Sequence, residues 1–341
     1  MGTVTIKDIA RLANVSHATV SRALNGSPGV SAETRARILE LCHQQGYRAN
    51  RLAQSLSINR TGIISCILPG LDNPLFAEAS LIVEQFARQH GYHVMLCHGR
   101  VEDPHIGQLF DYLIGHRVDG IILFSSSPQA PELIRRYISR VPIVLQGIFH
   151  MPSPAVSVPM VCADNAAGGK MAAEYLYRLG HRRVVYLGMR RQNVSHVLRC
   201  ESFLETARRL GMSVQVLYNE DSSSTTEAGH RLAKQFFFQN FQETAMFAAC
   251  DSIALGAMAA AKDFHISIPG DLSLMGFDNI NYSALPNIQL TTIESCKKQV
   301  LEASVECLLE LIDSPGRVDT QPQLILPRLI ERATCQRCRA S

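Results

Sequence analysis

Short apolar runs alternate with helix-like segments along most of this chain, from Thr61 to about Phe277. Runs such as Ile63–Leu68, Gly120–Phe124 and Val184–Leu187 have the length of buried strands. Such an alternation favours parallel sheets covered by helices on both faces. The roughly ten units exceed one sheet, and a break at 161–164 separates them, so we predict two α/β lobes. Ligands of such folds bind beyond the carboxyl ends of strands, which places a pocket in the cleft between the lobes.

The first fifty residues follow a different pattern, that of three short helices at about 6–13, 17–24 and 32–45. Asn14 suits the end of the first helix, and Ser16 and Ser31 are expected N-caps of the next two. Polar or small side chains share the outer face of the second helix: His17, Ala18, Ser21 and Arg22. The layout is typical of a helix-turn-helix, whose second helix reads base edges. An ordinary surface helical hairpin has the same local pattern.

Charge is distributed unevenly between this head and the rest of the chain. Residues 1–60 hold eight Lys or Arg against three acidic residues, whereas the remainder holds 25 basic and 27 acidic residues. A basic head on a nearly neutral body fits phosphate contacts by the head alone. A solvated helical surface can show the same bias.

Several other classes of protein lack support in the sequence. No signal-peptide core and no uncharged apolar run of about 18 residues is present, so we expect no membrane segment.

The ten dispersed cysteines indicate reduced, mostly buried thiols. Cys335 and Cys338 form a CxxC without a second pair nearby, which leaves a zinc site or a frayed tail as alternatives. No phosphate loop, dinucleotide fingerprint, GxSxG or HExxH pattern supports an enzyme.

The whole chain resembles the LacI/GalR family of bacterial transcription repressors. The similarity is strongest from Val4 to Ile38. Further matching segments follow in family order: Asn73–Phe76, Arg117–Gly120, Gly180–Arg183, Asp251–Gly256, Gly276–Asp278 and Leu290–Thr292. The resemblance implies an all-α helix-turn-helix head (1–47), a hinge helix or linker (48–60) and a periplasmic-binding-protein-like α/β core (61–341). The two lobes of that core are expected at 61–160 with 292–321, and at 161–291 with 322–341.

The resemblance also assigns roles in DNA binding. His17, Ala18 and Arg22 are expected to read bases, and Arg22 is the strongest candidate because a guanidinium can fork onto guanine O6 and N7. Other side chains are expected at the phosphates or in the hinge: Thr5, Ser16, Thr19, Ser21, Asn25, Ser31, Asn50 and Ala53. Leu56 matches the leucine that wedges into the minor groove and bends the duplex; the alternative is a leucine packed on its own domain. The hinge departs from the family at Ala49 and Gln54, where proline and arginine are usual, which predicts a more flexible hinge with one fewer phosphate contact.

An effector pocket is implied at the strand ends of both lobes. The matching positions are Leu71, Asn73, Pro74, Phe76, Arg100, Ser125, Asn193, Ser195, Arg199 and Asp278. Arg199 and Asp278 are expected to hold sugar hydroxyls by charge-assisted hydrogen bonds. The alternative for either residue is an ordinary salt-bridge partner at a strand end or a helix start. Cys250, Gly147 and Ser224 replace residues usual in the family, so the pocket has lost polar groups and an aromatic platform. Arg100, Arg190 and Arg199, with the serines at 222–224, suggest a sugar acid, as does a similarity of Tyr186–Arg190 to the gluconate- and idonate-responsive branch.

These features together predict a cytoplasmic, nucleoid-associated homodimeric repressor of a carbohydrate or sugar-acid operon. Two heads are expected to bind a near-palindromic operator, and lobe closure on a small effector to alter the pairing of the hinge helices. Neither a cofactor nor a metal is expected. A transport receptor would fit the body of the chain but would leave the basic head unexplained.

Overall fold

The computed structural model describes residues 4–24, 28–47, 60–148, 156–189, 193–219, 224–314 and 319–338. The chain separates into two compact units, Met1–Gly62 and Ile63–Ser341. Most of the predicted linker, residues 48–59, lies outside the described residues. Within the described part of the chain, no helix is both long enough and apolar enough to cross a membrane.

The head consists of α1 (Ile6–Leu12), α2 (His17–Leu24) and α3 (Ala32–Gln44). Its core contains the fully buried side chains of Ile9, Val20 and Ile38, one from each helix. Asn14 ends the first helix with a φ of 50°, a left-handed conformation that Asn tolerates better than most residues. The Arg37 guanidinium donates to the Ala13 carbonyl oxygen at 2.8 Å and so ties α3 to the end of α1. The three helices and their predicted caps are therefore confirmed.

The first lobe is built on a six-stranded, fully parallel sheet with the strand order β11-β5-β4-β3-β1-β2. Its strands are β1 (Ile63–Leu68), β2 (His93–His98), β3 (Gly120–Phe124), β4 (Ile143–Gln146), β5 (Met160–Ala163) and β11 (Gln323–Ile325). Its helices are α4 (Pro74–Gln89), α5 (Ile106–Gly115), α6 (Ala130–Tyr137) and α11 (Lys297–Asp313). Separate apolar clusters on the two faces of the sheet, one including Phe110 and the other Leu308, confirm the predicted double covering.

The second lobe repeats the plan, with the strand order β12-β10-β9-β8-β6-β7. Its strands are β6 (Arg183–Met189), β7 (Ser213–Asn219), β8 (Ala245–Ala248), β9 (Ser273–Phe277), β10 (Thr291–Glu294) and β12 (Arg328–Ile330). Its helices are α7 (Asn165–Arg178), α8 (Val194–Arg209), α9 (Thr226–Phe237) and α10 (Asp251–Asp263), with a 3₁₀ turn at Asn281–Ala284. Only β12 runs antiparallel to its neighbour among these described strands.

Sheet membership differs from the expected lobe boundaries by a few residues. The expected boundaries fall within or beside strands: β5 and β11 pair in the first sheet, whereas β10 pairs in the second. The strands at 160–163, 291–294 and 323–325 are only three or four residues long, too short to show a periodic apolar signal. The chain passes between the lobes after each of these three strands.

Helices α9 and α10 pack closely because glycines face each other across their contact. A Cβ atom at Gly256 would overlap the carbonyl oxygen of Thr226, and one at Gly229 would overlap the backbone of Ile253. Both neighbours are backbone atoms, so only a displacement of a whole helix could accommodate an added methyl group.

We therefore expect Gly256→Ala to lower the free energy of unfolding by roughly 1–3 kcal/mol, the usual cost of overpacking a core. Gly115→Ala is the matched control, because an added Cβ there has no neighbour within 4 Å. Alanine favours the helical conformation, so the control is expected to be neutral or slightly stabilising. Urea denaturation of both variants measures the difference; equal stabilities would contradict the packing argument.

Candidate DNA-binding head and effector pocket

Hydroxyl groups cap the helices of the head. Thr5 and Asp8 form a capping box, in which the Asp8 carboxylate accepts from the Thr5 amide at 3.0 Å and the Thr5 hydroxyl at 2.6 Å. Ser16 accepts from the Thr19 amide at 3.1 Å, and Ser31 from the Thr34 amide at 3.2 Å. These three residues, predicted to contact phosphate, thus also fix the helix starts, where backbone amides favour an anion.

The outer face of α2 is open to solvent. Ser16, His17, Ala18 and Arg22 are exposed, whereas Thr19 and Ser21 are half-buried. Within the described residues, no hydrogen bond or ion pair reaches the guanidinium of Arg22, which is exposed. Asn25, Asn50, Ala53 and Leu56 lie outside the described residues.

A cavity of about 260 Å³ lies between the two lobes of the core. Its lining comes from segments that follow strand ends, including Pro69 after β1, Ser125 after β3 and Cys250 after β8. Most predicted effector residues are among its walls: Asn73, Phe76, Arg100, Ser125, Asn193, Ser195, Arg199 and Asp278. Leu71 and Pro74 do not line it. Leu71 is 63% exposed on the loop after β1, and Pro74 occupies the first turn of α4, directly after Asn73, which does line the cavity.

Asn73 bridges the lobes. Its side-chain oxygen caps α4 by accepting from the Leu75 amide at 3.0 Å, and it also accepts from the Ser252 hydroxyl at 3.2 Å. Its amide nitrogen donates to the Ser224 hydroxyl at 3.2 Å. Because Asn73 belongs to the first lobe and both serines to the second, this buried side chain stabilises a closed cleft.

A second contact between the lobes lies on another side of the cavity. The Ser126 and Ser195 hydroxyls are 2.6 Å apart, and the Val194 amide donates to the Ser126 carbonyl oxygen at 2.8 Å. Asn193 caps α8 by accepting from the His196 amide at 3.2 Å. The predicted effector residues Asn193 and Ser195 are therefore held in place by helix capping and by the first lobe.

Arg199 is buried and engaged by the protein. Its terminal nitrogens donate to the Asn165 side-chain oxygen at 2.7 Å and to the Ala249 carbonyl oxygen. Its guanidinium carbon lies 3.3 Å from the centroid of the Phe277 ring, within the range of a cation–π contact. Arg199 thereby links the start of α7 to the end of β8, a role that sequence reasoning missed.

Asp278 follows β9 and is only 5% exposed. No hydrogen bond or ion pair within the described residues reaches its carboxylate. Burial raises the pKa of Asp278 to about 7, against the opposing effect of the nearby Arg199 charge. A buried carboxylate without a partner is costly, and it is the kind of group that a ligand's hydroxyls can satisfy.

Other groups of the wall were not predicted from sequence. Gln146, Asn165 and His196 line the cavity. Gln146 ends β4, so a consistent search of strand ends would have found it.

Gly147 has a φ of 143°, and its position leaves no room for a Cβ beside the Ser125 carbonyl oxygen. The departure from the family at this position is therefore also a steric requirement.

The cysteines carry no metal-like cluster among the described residues. The Cys335 thiol donates to the Leu274 carbonyl oxygen, and burial raises its pKa to about 12. Burial likewise raises the pKa of Cys250 to about 12. Such thiols are weak nucleophiles and weak metal ligands at neutral pH.

Comparison with known proteins identifies the family. A model of bacterial regulatory proteins of the lacI family matches residues 5–50, and a periplasmic binding protein-like domain matches 173–335. The repressor CytR of Escherichia coli K12 is 31% identical over 310 residues, 91% of this chain and 89% of CytR. The chain belongs to the lacI family. This regulator is also 29% identical to catabolite control protein A of Priestia megaterium, over 85% of this chain and 87% of that protein.

The fold agrees with that assignment. A lac repressor dimer bound to operator and an anti-inducer superposes with a TM-score of 0.86 at 25% identity, covering 98% of this chain and 100% of that one. The matched relatives are transcriptional regulators, so the predicted DNA-binding regulator is confirmed and the enzyme alternative is set aside.

The buried carboxyl group of Asp278 predicts a pH-dependent difference in stability. The folded-state pKa of Asp278 is raised, so the folded form holds its proton at pH values where the unfolded chain has lost it. The penalty for burying this group therefore grows as pH rises towards 7. We expect Asp278→Asn to stabilise the ligand-free protein by roughly 1–3 kcal/mol more at pH 8 than at pH 5. Denaturation at both pH values measures this; a difference independent of pH would contradict the assigned environment.

Proposed function

We propose that this regulator is a homodimeric repressor of a carbohydrate or sugar-acid operon, controlled by a small molecule bound between the lobes. The observation that carries the proposal is the cavity at the strand ends of both lobes, whose wall includes the buried carboxylate of Asp278, without a hydrogen-bond partner in the described parts of the chain. Two solved structures of similar fold contain ligands of this kind: the transcriptional regulator CelR is in complex with cellobiose, and a LacI family transcriptional regulator from Enterococcus faecium has bound ribose. We place the protein in the cytoplasm, on the nucleoid.

The head supplies sequence recognition in this proposal. Arg22, His17 and Ala18 read base edges in the major groove, and the caps Thr5, Ser16 and Ser31 position the head on phosphates together with Thr19, Ser21 and Asn25. A two-fold dimer requires an operator with two-fold symmetry. The lac repressor dimer bound to its operator supports this arrangement.

Control requires that the two lobes respond to a ligand. Asn73, Ser126 and Ser195 connect the lobes around the cavity, so a ligand that changes these contacts changes the lobe arrangement. Residues 48–60, with Asn50, Ala53 and Leu56, form the hinge that transmits the change to the head of residues 1–47. The shift is a coupling between two binding equilibria, and it is reciprocal.

Arg22→Ala tests the recognition helix. Its loss removes a bidentate base contact, so we expect affinity for the operator to fall by about 1–3 kcal/mol, with much smaller loss on random DNA. Arg11→Ala is the matched control, because this exposed arginine lies on α1 and not on the recognition helix α2. Any loss of affinity in this variant should be equal for operator and for random DNA. Competition gel-shift assays report both ratios, and unchanged selectivity of the Arg22 variant would overturn the assignment.

Leu56→Ala tests the minor-groove wedge. Wedges of this kind kink DNA by roughly 20–90°, so we expect a smaller bend in the operator complex with the base contacts retained. Circularly permuted operator fragments measure the bend angle, and Leu52→Ala is the control from the same segment. A bend of unchanged size in the Leu56 variant would remove the wedge from the proposal.

A further inference from the structure

A second cavity, of about 420 Å³, is separate from the effector cavity and has a strongly positive wall. It is formed where the loop after β9, the end of β10, the start of α11 and strand β12 meet. The two cavities share only Lys297 among their described wall residues. The cationic side chains of the second wall are Lys297, Lys298, Arg328 and Arg332, and Glu294 is its only acidic residue in the described parts of the chain.

Two of these cations are held in place by the protein. Lys297 pairs with the Glu78 carboxylate at 3.0 Å and also donates to the Asn279 carbonyl oxygen. Arg332 donates to the Leu290 carbonyl oxygen and to the Asn279 side-chain oxygen, each at 2.7 Å. Because Glu78 is the only carboxylate in these contacts, they neutralise the charge of Lys297 and leave that of Arg332.

The other two cations lack a strong partner. No hydrogen bond or ion pair within the described ranges reaches the exposed guanidinium of Arg328. The Lys298 ammonium approaches the Glu302 carboxylate only to 3.9 Å, and its side chain is 76% exposed, so this pair is weak. When Glu78 and Glu294 are set against the four cations, two positive charges remain at the cavity.

Lys297 and Lys298 also begin a helix whose start is already positive. Helix α11 has 17 residues, and its first turn contains no acidic side chain. The N-cap residue Cys296 makes no side-chain hydrogen bond to that turn; its thiol donates to the Leu326 carbonyl oxygen at 3.4 Å. Cations at this end of a helix are unfavourable, because the helix dipole is positive there. An anion in the cavity would relieve this repulsion.

From the charged wall of this cavity we propose a second ligand site, which binds the dianion of a phosphate monoester. The phosphate lies between Lys298 and Arg328, since a guanidinium can donate two parallel hydrogen bonds to phosphate oxygens. A dianion balances both excess charges, whereas a single carboxylate balances one. The carbon skeleton of the ester contacts Ile82 and Ala284 of the same wall. Lys298 belongs to a first-lobe helix and Arg328 to a second-lobe strand, so the bound anion connects the two lobes outside the effector cavity.

Calorimetry on the full-length protein without DNA tests the site. The probes are inorganic phosphate, propyl phosphate and sulfate at constant ionic strength, with 1-propanol as the uncharged control. We expect saturable binding of the three anions and none of 1-propanol. Propyl phosphate should bind more tightly than inorganic phosphate, because its hydrocarbon chain is removed from water against the wall. Absence of saturable anion binding would overturn the proposal.

The dependence of binding on pH tests the preference for a dianion. The second pKa of a phosphate monoester is about 6. We therefore expect the affinity for propyl phosphate to rise roughly fourfold or more when the pH is raised from about 5.5 to about 7.5. Sulfate remains a dianion over this range, so its affinity should not change. An equal rise for sulfate, or no rise for propyl phosphate, would contradict the preference.

Matched substitutions locate the site. Arg328→Gln and Lys298→Gln should each weaken the binding of propyl phosphate roughly tenfold. Arg178→Gln and Lys170→Gln should leave it unchanged, because these exposed cations of α7 lie outside the cavity wall. Arg22→Ala should also leave it unchanged, because the head belongs to the other compact unit of the chain. Equal losses in any of these three controls would assign the phosphate to another surface and overturn the proposal.

This inference goes beyond the proposed function, because it concerns a different cavity and a different class of ligand. Gel-shift assays with operator DNA, run separately, test the proposed function. A protein that recognises its operator but binds no phosphate monoester would overturn the second site alone. Binding of the monoester without operator recognition would overturn the proposed function alone.

Discussion

A buried carboxylate in the second lobe holds together the elements on which the pocket depends. Asp251, fully buried at the start of α10, accepts from the Ile280 amide at 2.9 Å and from the hydroxyls of Ser283 and Thr292 at 2.6 Å each. Burial raises the pKa of Asp251 to about 6 although these three bonds oppose the increase. Because the loss of any of these donors would leave a buried carboxylate oxygen less satisfied, the bonds hold the segment after β9 against α10.

That constraint explains how Asp278 is left without a hydrogen-bond partner among the residues that the structure describes. It lies between β9 and Ile280, which Asp251 holds, and it has a φ of 106°, outside the common regions for a residue with a side chain. The local strain and the isolated carboxylate are both costly. The hydrogen bonds of Asp251 stabilise this arrangement. The two aspartates are similarly buried but have different roles: Asp251 anchors the backbone, and Asp278 remains available to a ligand.

The sequence was sufficient to predict the elements whose signals are local. The caps at Ser16 and Ser31, the left-handed Asn14 and the buried strand at 120–124 all follow from neighbouring residues, and the structure has them. The position of the candidate pocket was predicted mainly from the resemblance to the LacI/GalR family and from the rule that ligands of parallel α/β folds bind beyond the carboxyl ends of the strands. Neither could show that Arg199 is engaged by Asn165 and Ala249, because these partners are 34 and 50 positions away along the chain. The short strands at which the chain passes between the lobes were also missed, because three or four residues are too few to show a periodic pattern of apolar side chains.

The bridge made by Asn73 has a consequence for the rate at which a ligand can enter. Its side chain holds the end of a first-lobe helix and two second-lobe serines at once, so the lobes cannot separate at this point without breaking these bonds. A ligand too large to pass between the lobes would enter only after such a separation, and at high ligand concentration its observed association rate would level off at the rate of separation. The same bonds slow departure, so a bound ligand would stay for a time set by the protein's own motion more than by its chemical identity. For such a molecule, the switch would respond to how long a metabolite persists as well as to how much of it is present.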